Sequence, residues 1–88
     1  MAWTIRYIGN AQKQLTKTDK SIRDRLRDAI ETKISNLDDP RSIGKALVGT
    51  NFWRYRAGDY RIIAEIRDKE VLILVISIGH RKEIYRNK

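Results

Sequence analysis

The sequence predicts an α+β fold in the order β-α-α-β-β-β: a small, mostly antiparallel sheet with two N-terminal helices packed on one face. Three observations carry that prediction. Residues 2–8 alternate, with Trp3, Ile5 and Tyr7 on one side and Thr4 and Arg6 on the other, the period of a half-buried strand. Ile22, Leu26, Ala29, Ile30, Ile34 and Leu37 recur at helical spacing, and Lys33 alone interrupts their apolar stripe. Three extended runs, 52–57, 60–67 and 71–78, then follow one another across two short turns, as in consecutive antiparallel strands.

Each element has a local reason. Gly9-Asn10 breaks the first strand, and residues 11–17 suit a short helix. Asp19 stands where the N-cap of the second helix belongs. That helix carries Arg23, Arg25, Arg27, Asp28 and Glu31 on its polar face, and Asp38-Asp39-Pro40 ends it, because proline disfavours a helical residue before it. Residues 41–49 read as a loop with at most one helical turn. In 52–57 aromatic residues alternate with arginine, and Gly58-Asp59 marks a tight turn. Residues 60–67 put Tyr60, Ile62, Ala64 and Ile66 on one side and Arg61, Ile63 and Glu65 on the other. After Asp68-Lys69, residues 71–78 are apolar on both faces, as a central strand requires. With helices on one face of the sheet, the other is partly open, and Arg54, Arg56 and Arg61 are expected to project from it.

Composition bounds the function. A chain of 88 residues suits one domain, expected to span residues 1–88. No run approaches the roughly 18–20 apolar residues of a membrane span, and the first residues lack the basic and apolar regions of a signal peptide. A cytoplasmic protein with no membrane partner is therefore expected. The absence of cysteine and the single histidine remove disulfide frameworks and most zinc chemistry, so neither a metal nor a cofactor is expected. Nineteen Lys and Arg against eleven Asp and Glu give a net charge of +8, which points to a polyanionic partner. The excess is shared between the two halves of the chain, which indicates a folded charged face and not a basic tail.

Phe52, Trp53, Tyr55 and Tyr60 are four of the seven aromatic residues, and they interleave with Arg54 and Arg56 and precede Arg61. Guanidinium forks on phosphates and rings on bases are how single-stranded RNA is held. The same run also fits a strand with its aromatics inward and its arginines solvated.

The run Trp53-Arg54-Tyr55-Arg56-Ala57-Gly58-Asp59-Tyr60-Arg61, followed by an apolar strand and Ile78-Gly79-His80-Arg81-Lys82-Glu83-Ile84-Tyr85-Arg86, resembles the RelE/ParE superfamily of toxins, most closely its RelE branch. The resemblance covers essentially the whole chain. It implies the toxin of a type II toxin–antitoxin system: a metal-independent, ribosome-dependent endoribonuclease that cleaves mRNA in the A site and so inhibits translation. Its implied partners are a RelB-like antitoxin, the ribosome and mRNA, with DNA met only through the antitoxin complex. Carried onto this chain, Arg61 corresponds to the arginine that stabilises the phosphoryl transition state, Arg81 to the one that neutralises or protonates the leaving 5′-oxygen, and Tyr85 to the tyrosine that stacks on the substrate base. Arg54, Arg56, His80, Lys82 and Arg86 fall at substrate-binding positions. Two features depart from the family: Phe52 and Arg54 stand where RelE-like enzymes often carry lysines, and the spacing from Arg81 to Tyr85 is shorter. The same superfamily includes noncatalytic ParE-like toxins that inhibit DNA gyrase, which is the alternative reading.

The chemistry needs few special groups. RNA brings its own nucleophile, the 2′-OH, so a protein need only align it with the leaving oxygen and neutralise developing charge. Arginine is a poor base because it stays protonated. Histidine is the side-chain type that titrates near neutrality, which makes His80 the one conventional acid–base candidate. The basic helix at residues 20–33 offers phosphate contacts of the kind that position ribosomal RNA without reading sequence.

Overall fold

The computed structural model describes residues 2–80. Strand β1 (Thr4–Tyr7) leads through Gly9, at φ +54°, into helices α1 (Asn10–Lys17) and α2 (Lys20–Arg27). Asp19 holds the N-cap position of α2 with extended backbone, although its side chain makes no capping hydrogen bond. The expected regular helix to residue 37 gives way to a π-helical stretch, Asp28–Ile34, closed where the Ser35 N–H donates to the Ile30 carbonyl at 3.1 Å. The wider turn brings residues four apart into line. Leu26, Ile30 and Ile34 are therefore all buried, and Lys33, which interrupts the stripe at regular helical spacing, turns to solvent.

A 3-10 turn at Pro40–Ile43 precedes β2 (Lys45–Ala46), β3 (Phe52–Ala57), β4 (Tyr60–Arg67) and β5 (Leu72–His80). The sheet order is β1-β5-β4-β3-β2, with β1 parallel to β5 and every other pair antiparallel. The fold is thus α+β, as the sequence indicates, but with five strands where four were expected. The added strand, β2, lies in the segment read as a loop, because two residues are too few to show a period. Among the described residues no helix is long and apolar enough to cross a membrane.

The helices cover one face of the sheet. Ala11, Leu15, Leu26, Ile30 and Ile34 pack with Tyr55, Ile62, Ala64, Ile73, Val75 and Ile78 in one buried cluster. At about 25 cal/mol per Å² of apolar surface, burying these side chains is the main force holding helices to sheet. Within β5 the pairing shifts: Ile63 faces Ser77 but Ala64 faces Val75, so Ile76 is an extra residue in a β-bulge. Helix α1 supports this irregular point. The Gln14 side-chain oxygen accepts hydrogen bonds from the Ile78 N–H at 2.8 Å and the Ser77 hydroxyl at 3.5 Å. The turn from β4 to β5 is a 3-10 turn at Asp68–Glu70 that ends on Val71 at φ +49°, a left-handed conformation costing a branched side chain about 1–2 kcal/mol.

Two phenols tie the periphery to this core. Tyr7 donates to a Glu31 carboxylate oxygen at 2.6 Å, and Tyr55 donates to the Pro40 carbonyl at 2.6 Å. Burial pushes the Tyr55 phenol up to about 12. Burial, reinforced by the bond to Glu31 and its charge, raises that of Tyr7 well above the ordinary phenol value. A folded-state value above the unfolded one gives stability that is complete below about pH 10 and is lost as the pH rises through the folded value. Tyr55→Phe is expected to cost about 1–2 kcal/mol by leaving the Pro40 carbonyl unsatisfied. In a 295 nm titration, the wild-type minus variant difference should place the Tyr55 transition near pH 12 and not near pH 10.

Candidate functional site

Register decides which side chains share a face, because residues directly opposite one another in a ladder point the same way. Tyr55, Ile62 and Ile78 form one cross-strand row, and Trp53, Ala64 and Val75 another; both face the helices. The alternate positions face away from the helices. There, Lys45 pairs with Arg54, and Arg54 with Ile63. One step along, Arg56 pairs with Arg61, and Arg61 with Gly79. The glycine leaves the position next to Arg61 without a side chain. Gly58, at φ +61°, makes the two-residue turn that fixes this register, with positive φ at its first central residue only, as in a type II′ hairpin.

Four cations therefore stand in two like-charged cross-strand pairs on the open face. Lys45, Arg54, Arg56 and Arg61 line a cleft of about 130 Å³ together with Ile43 and Tyr55. Lys45 and Arg56 are exposed, Arg54 and Arg61 are half-buried, and the Arg61 Nε is shielded from solvent. Like charges placed directly opposite one another destabilise a sheet. Functional sites are where such local conflicts are found, and a row of guanidinium and ammonium groups is chemically suited to an anion with several oxygens.

The structure brings Arg54, Arg56 and Arg61 together, as the sequence anticipates, and places His80 elsewhere. His80 pairs with Tyr60, whose ring it meets edge-on at 5.5 Å and 80°, on the helix-facing side of the sheet. There it lines two clefts, of about 240 and 290 Å³, that share Ile22, Tyr60 and His80. Arg81, Lys82, Tyr85 and Arg86 lie outside the described residues. Lys45 is the member that sequence reasoning missed. Its signal was weak, a single lysine in a Gly-flanked loop nine residues before Arg54, and only the ladder pairs them.

A family model described as the ParE toxin of the type II toxin–antitoxin system parDE matches residues 5–85. The chain belongs to that family and is a type II toxin of the RelE/ParE superfamily. Toxin RelG of Mycobacterium tuberculosis is 30% identical over 91 residues, an alignment spanning 98% of this chain and 99% of RelG. The toxin–antitoxin complex RelBE2 of the same organism superposes with a TM-score of 0.83 at 23% identity, over 91% of this chain and 92% of the other. A free RelE toxin variant from E. coli gives 0.76 at 22% identity over 98% and 93%. The RelB–RelE complex of Methanococcus jannaschii gives 0.69 at 28% identity over 91% and 94%.

If the cation pairs are held against the interest of folding, relieving one should stabilise the protein. Arg56→Glu turns the Arg56–Arg61 pair into one of opposite charge and is expected to raise stability by about 0.2–1 kcal/mol. The gain should appear as a higher urea midpoint with an unchanged m-value, together with weaker binding to single-stranded RNA.

Proposed function

We propose that this toxin is a metal-independent, ribosome-dependent endoribonuclease that cleaves mRNA in the A site by attack of the RNA 2′-OH, and thereby inhibits translation. The observation that carries this reading is the pair of like-charged rungs, Lys45–Arg54 and Arg56–Arg61, in one cleft on the open face. Cations so placed stabilise the dianionic phosphorane that forms when the 2′-oxygen attacks, and they lower the proton affinity of the 2′-OH before it does. Arg61, whose Nε is shielded from solvent and which stands opposite Gly79, is assigned the phosphoryl oxygens. Lys45, Arg54 and Arg56 hold the flanking phosphates. Arg81 is assigned the leaving 5′-oxygen and Tyr85 the stacked base, with Lys82 and Arg86 as further phosphate contacts. Substrate alignment is left in part to the ribosome, so activity on free RNA is expected to be weak.

The related RelB–RelE and RelBE2 structures are toxin–antitoxin complexes. They support a RelB-like antitoxin as the cognate partner here, a protein that meets DNA and carries this toxin to it only indirectly. An acidic partner would associate fast with a +8 surface, with marked salt dependence. A cytoplasmic location follows from the ribosomal target.

The family model's description as a ParE toxin favours a second reading, noncatalytic inhibition of DNA gyrase. Single-turnover cleavage on mRNA-programmed ribosomes separates the two. Arg61→Ala is expected to keep its thermal melt while losing about 10²–10³ in rate, the effect of removing one transition-state donor. No cleavage by the wild-type protein, together with arrest of gyrase supercoiling, would transfer the assignment to the second reading.

A further inference from the structure

Lys45 belongs to a strand of two residues at the edge of the sheet, held by only two rungs, Lys45–Arg54 and Ala46–Trp53. The loop from β2 to β3 fixes the register of those rungs, with the Leu47 N–H donating to the Phe52 carbonyl at 3.0 Å and the Thr50 N–H to the Leu47 carbonyl at 3.1 Å, but a lysine side chain at the start of the strand still has four carbons of rotational freedom to lose before it can hold a phosphate. The segment just before it is tied down from several directions, and most of those ties converge on Arg41. The Arg41 guanidinium makes a fork on Asp68, with Nη1 to Oδ1 at 3.0 Å and Nη2 to Oδ2 at 2.6 Å. Its backbone N–H donates to Asp39 Oδ1 at 3.0 Å. Its guanidinium carbon lies 5.9 Å from the ring centre of Trp53, the residue that faces Ala46 across the ladder and adjoins Arg54. Behind it, Tyr55 holds the Pro40 carbonyl, and Gly44 lies so close to the Tyr55 ring that an added Cβ would meet it at 3.0 Å.

We infer that Arg41 and Asp68 are positioning residues: their ion pair latches the segment before β2 to the β4–β5 turn, so that Lys45 stands beside Arg54 as a phosphodiester-binding member of the cation row. This rests on the reading of that row as an RNA site. The pairing holds the Asp68 carboxyl below the usual carboxylate range through the Arg41 hydrogen bond, and raises the Arg41 guanidinium. Asp68 is exposed and Arg41 half-buried, so solvent screens the pair and it adds little to global stability. Its effect is local, on the segment that leads into β2 and on the start of that strand, where Lys45 stands.

The test is a cycle of variants binding a 2′-O-methyl RNA oligonucleotide, which cannot be cleaved, across a series of salt concentrations. Asp68→Asn is the informative change because it raises the net charge by one and removes no cation. Long-range electrostatics alone would tighten binding and steepen its salt dependence. The latch predicts the reverse: weaker binding, and a salt slope reduced by about 0.7, the value of one lost phosphate contact on a single strand. Lys45→Ala should give the same reduction, Asp68→Asn should add nothing in the Lys45→Ala background, and Asp68→Glu, which keeps the carboxylate, should bind like wild type. Unchanged or tighter binding by Asp68→Asn, a loss that adds to that of Lys45→Ala, or no wild-type affinity at low salt would each overturn the inference. A cycle that closes as predicted in a protein that cleaves no ribosome-bound mRNA would instead reject the nuclease reading and leave the latch standing.

Discussion

The phase of β5 is the constraint on which the rest of the molecule depends. This strand pairs with β1 on one side and β4 on the other, and it supplies Ile73, Val75 and Ile78 to the core. A strict period of two from Ile73 would bring Ser77 and Gly79 inward and send Ile78 and His80 to the open face. The extra residue Ile76 reverses the alternation, so that Ile78 joins the core and Gly79 comes to lie opposite Arg61. The same residue puts His80 against Tyr60, on the face away from the arginines. Gln14 makes the bulge tolerable by accepting from the Ile78 N–H, which links the first helix to the geometry at the far end of the sheet.

Given that phase, the open face follows from the hairpin. The type II′ turn at Gly58-Asp59 sets Arg56 opposite Arg61, and the return of the chain through residues 47–51, closed where the Leu47 N–H donates to the Phe52 carbonyl, sets Lys45 opposite Arg54. Like charges face each other across both rungs, and the apolar cluster under the helices and the Tyr55 anchor on Pro40 stabilise the sheet that carries them. The chemistry assigned to that surface needs only donors held where negative charge will develop, and rigid strands hold them more firmly than loops would.

Much of this was legible in the sequence. The runs at 52–57 and 60–67 alternate cleanly, and their ends coincide with those of β3 and β4 because a glycine turn and an acidic turn bound them. From that alternation alone Arg54, Arg56 and Arg61 were expected on the open face, and the register puts them there. Three features were not legible, each for a physical reason. The π-helical turn at Asp28–Ile34 replaces the period of 3.6 that the stripe suggests, and Lys33 was the only sign of it. Strand β2 is two residues long, too few to show a period, and its partner Arg54 lies nine residues on across an irregular loop, so Lys45 passed as part of that loop. The bulge at Ile76 falls in a run that is apolar on both faces, where a change of phase leaves no mark in the hydrophobic pattern. It was this change that separated His80 from the cations.

On the proposed reading, fixed cations on this face drive attack by the substrate's own 2′-OH. The most direct measurement of it is end analysis of mRNA cut on the ribosome, on an all-ribose message and on one carrying a single 2′-deoxynucleotide 5′ to the scissile phosphate. Attack by the 2′-OH leaves a 2′,3′-cyclic phosphate on the upstream fragment and a 5′-hydroxyl on the downstream one, with no cleavage of the deoxy-substituted message at that position. An upstream 3′-hydroxyl, or undiminished cleavage of the deoxy-substituted message, would contradict it.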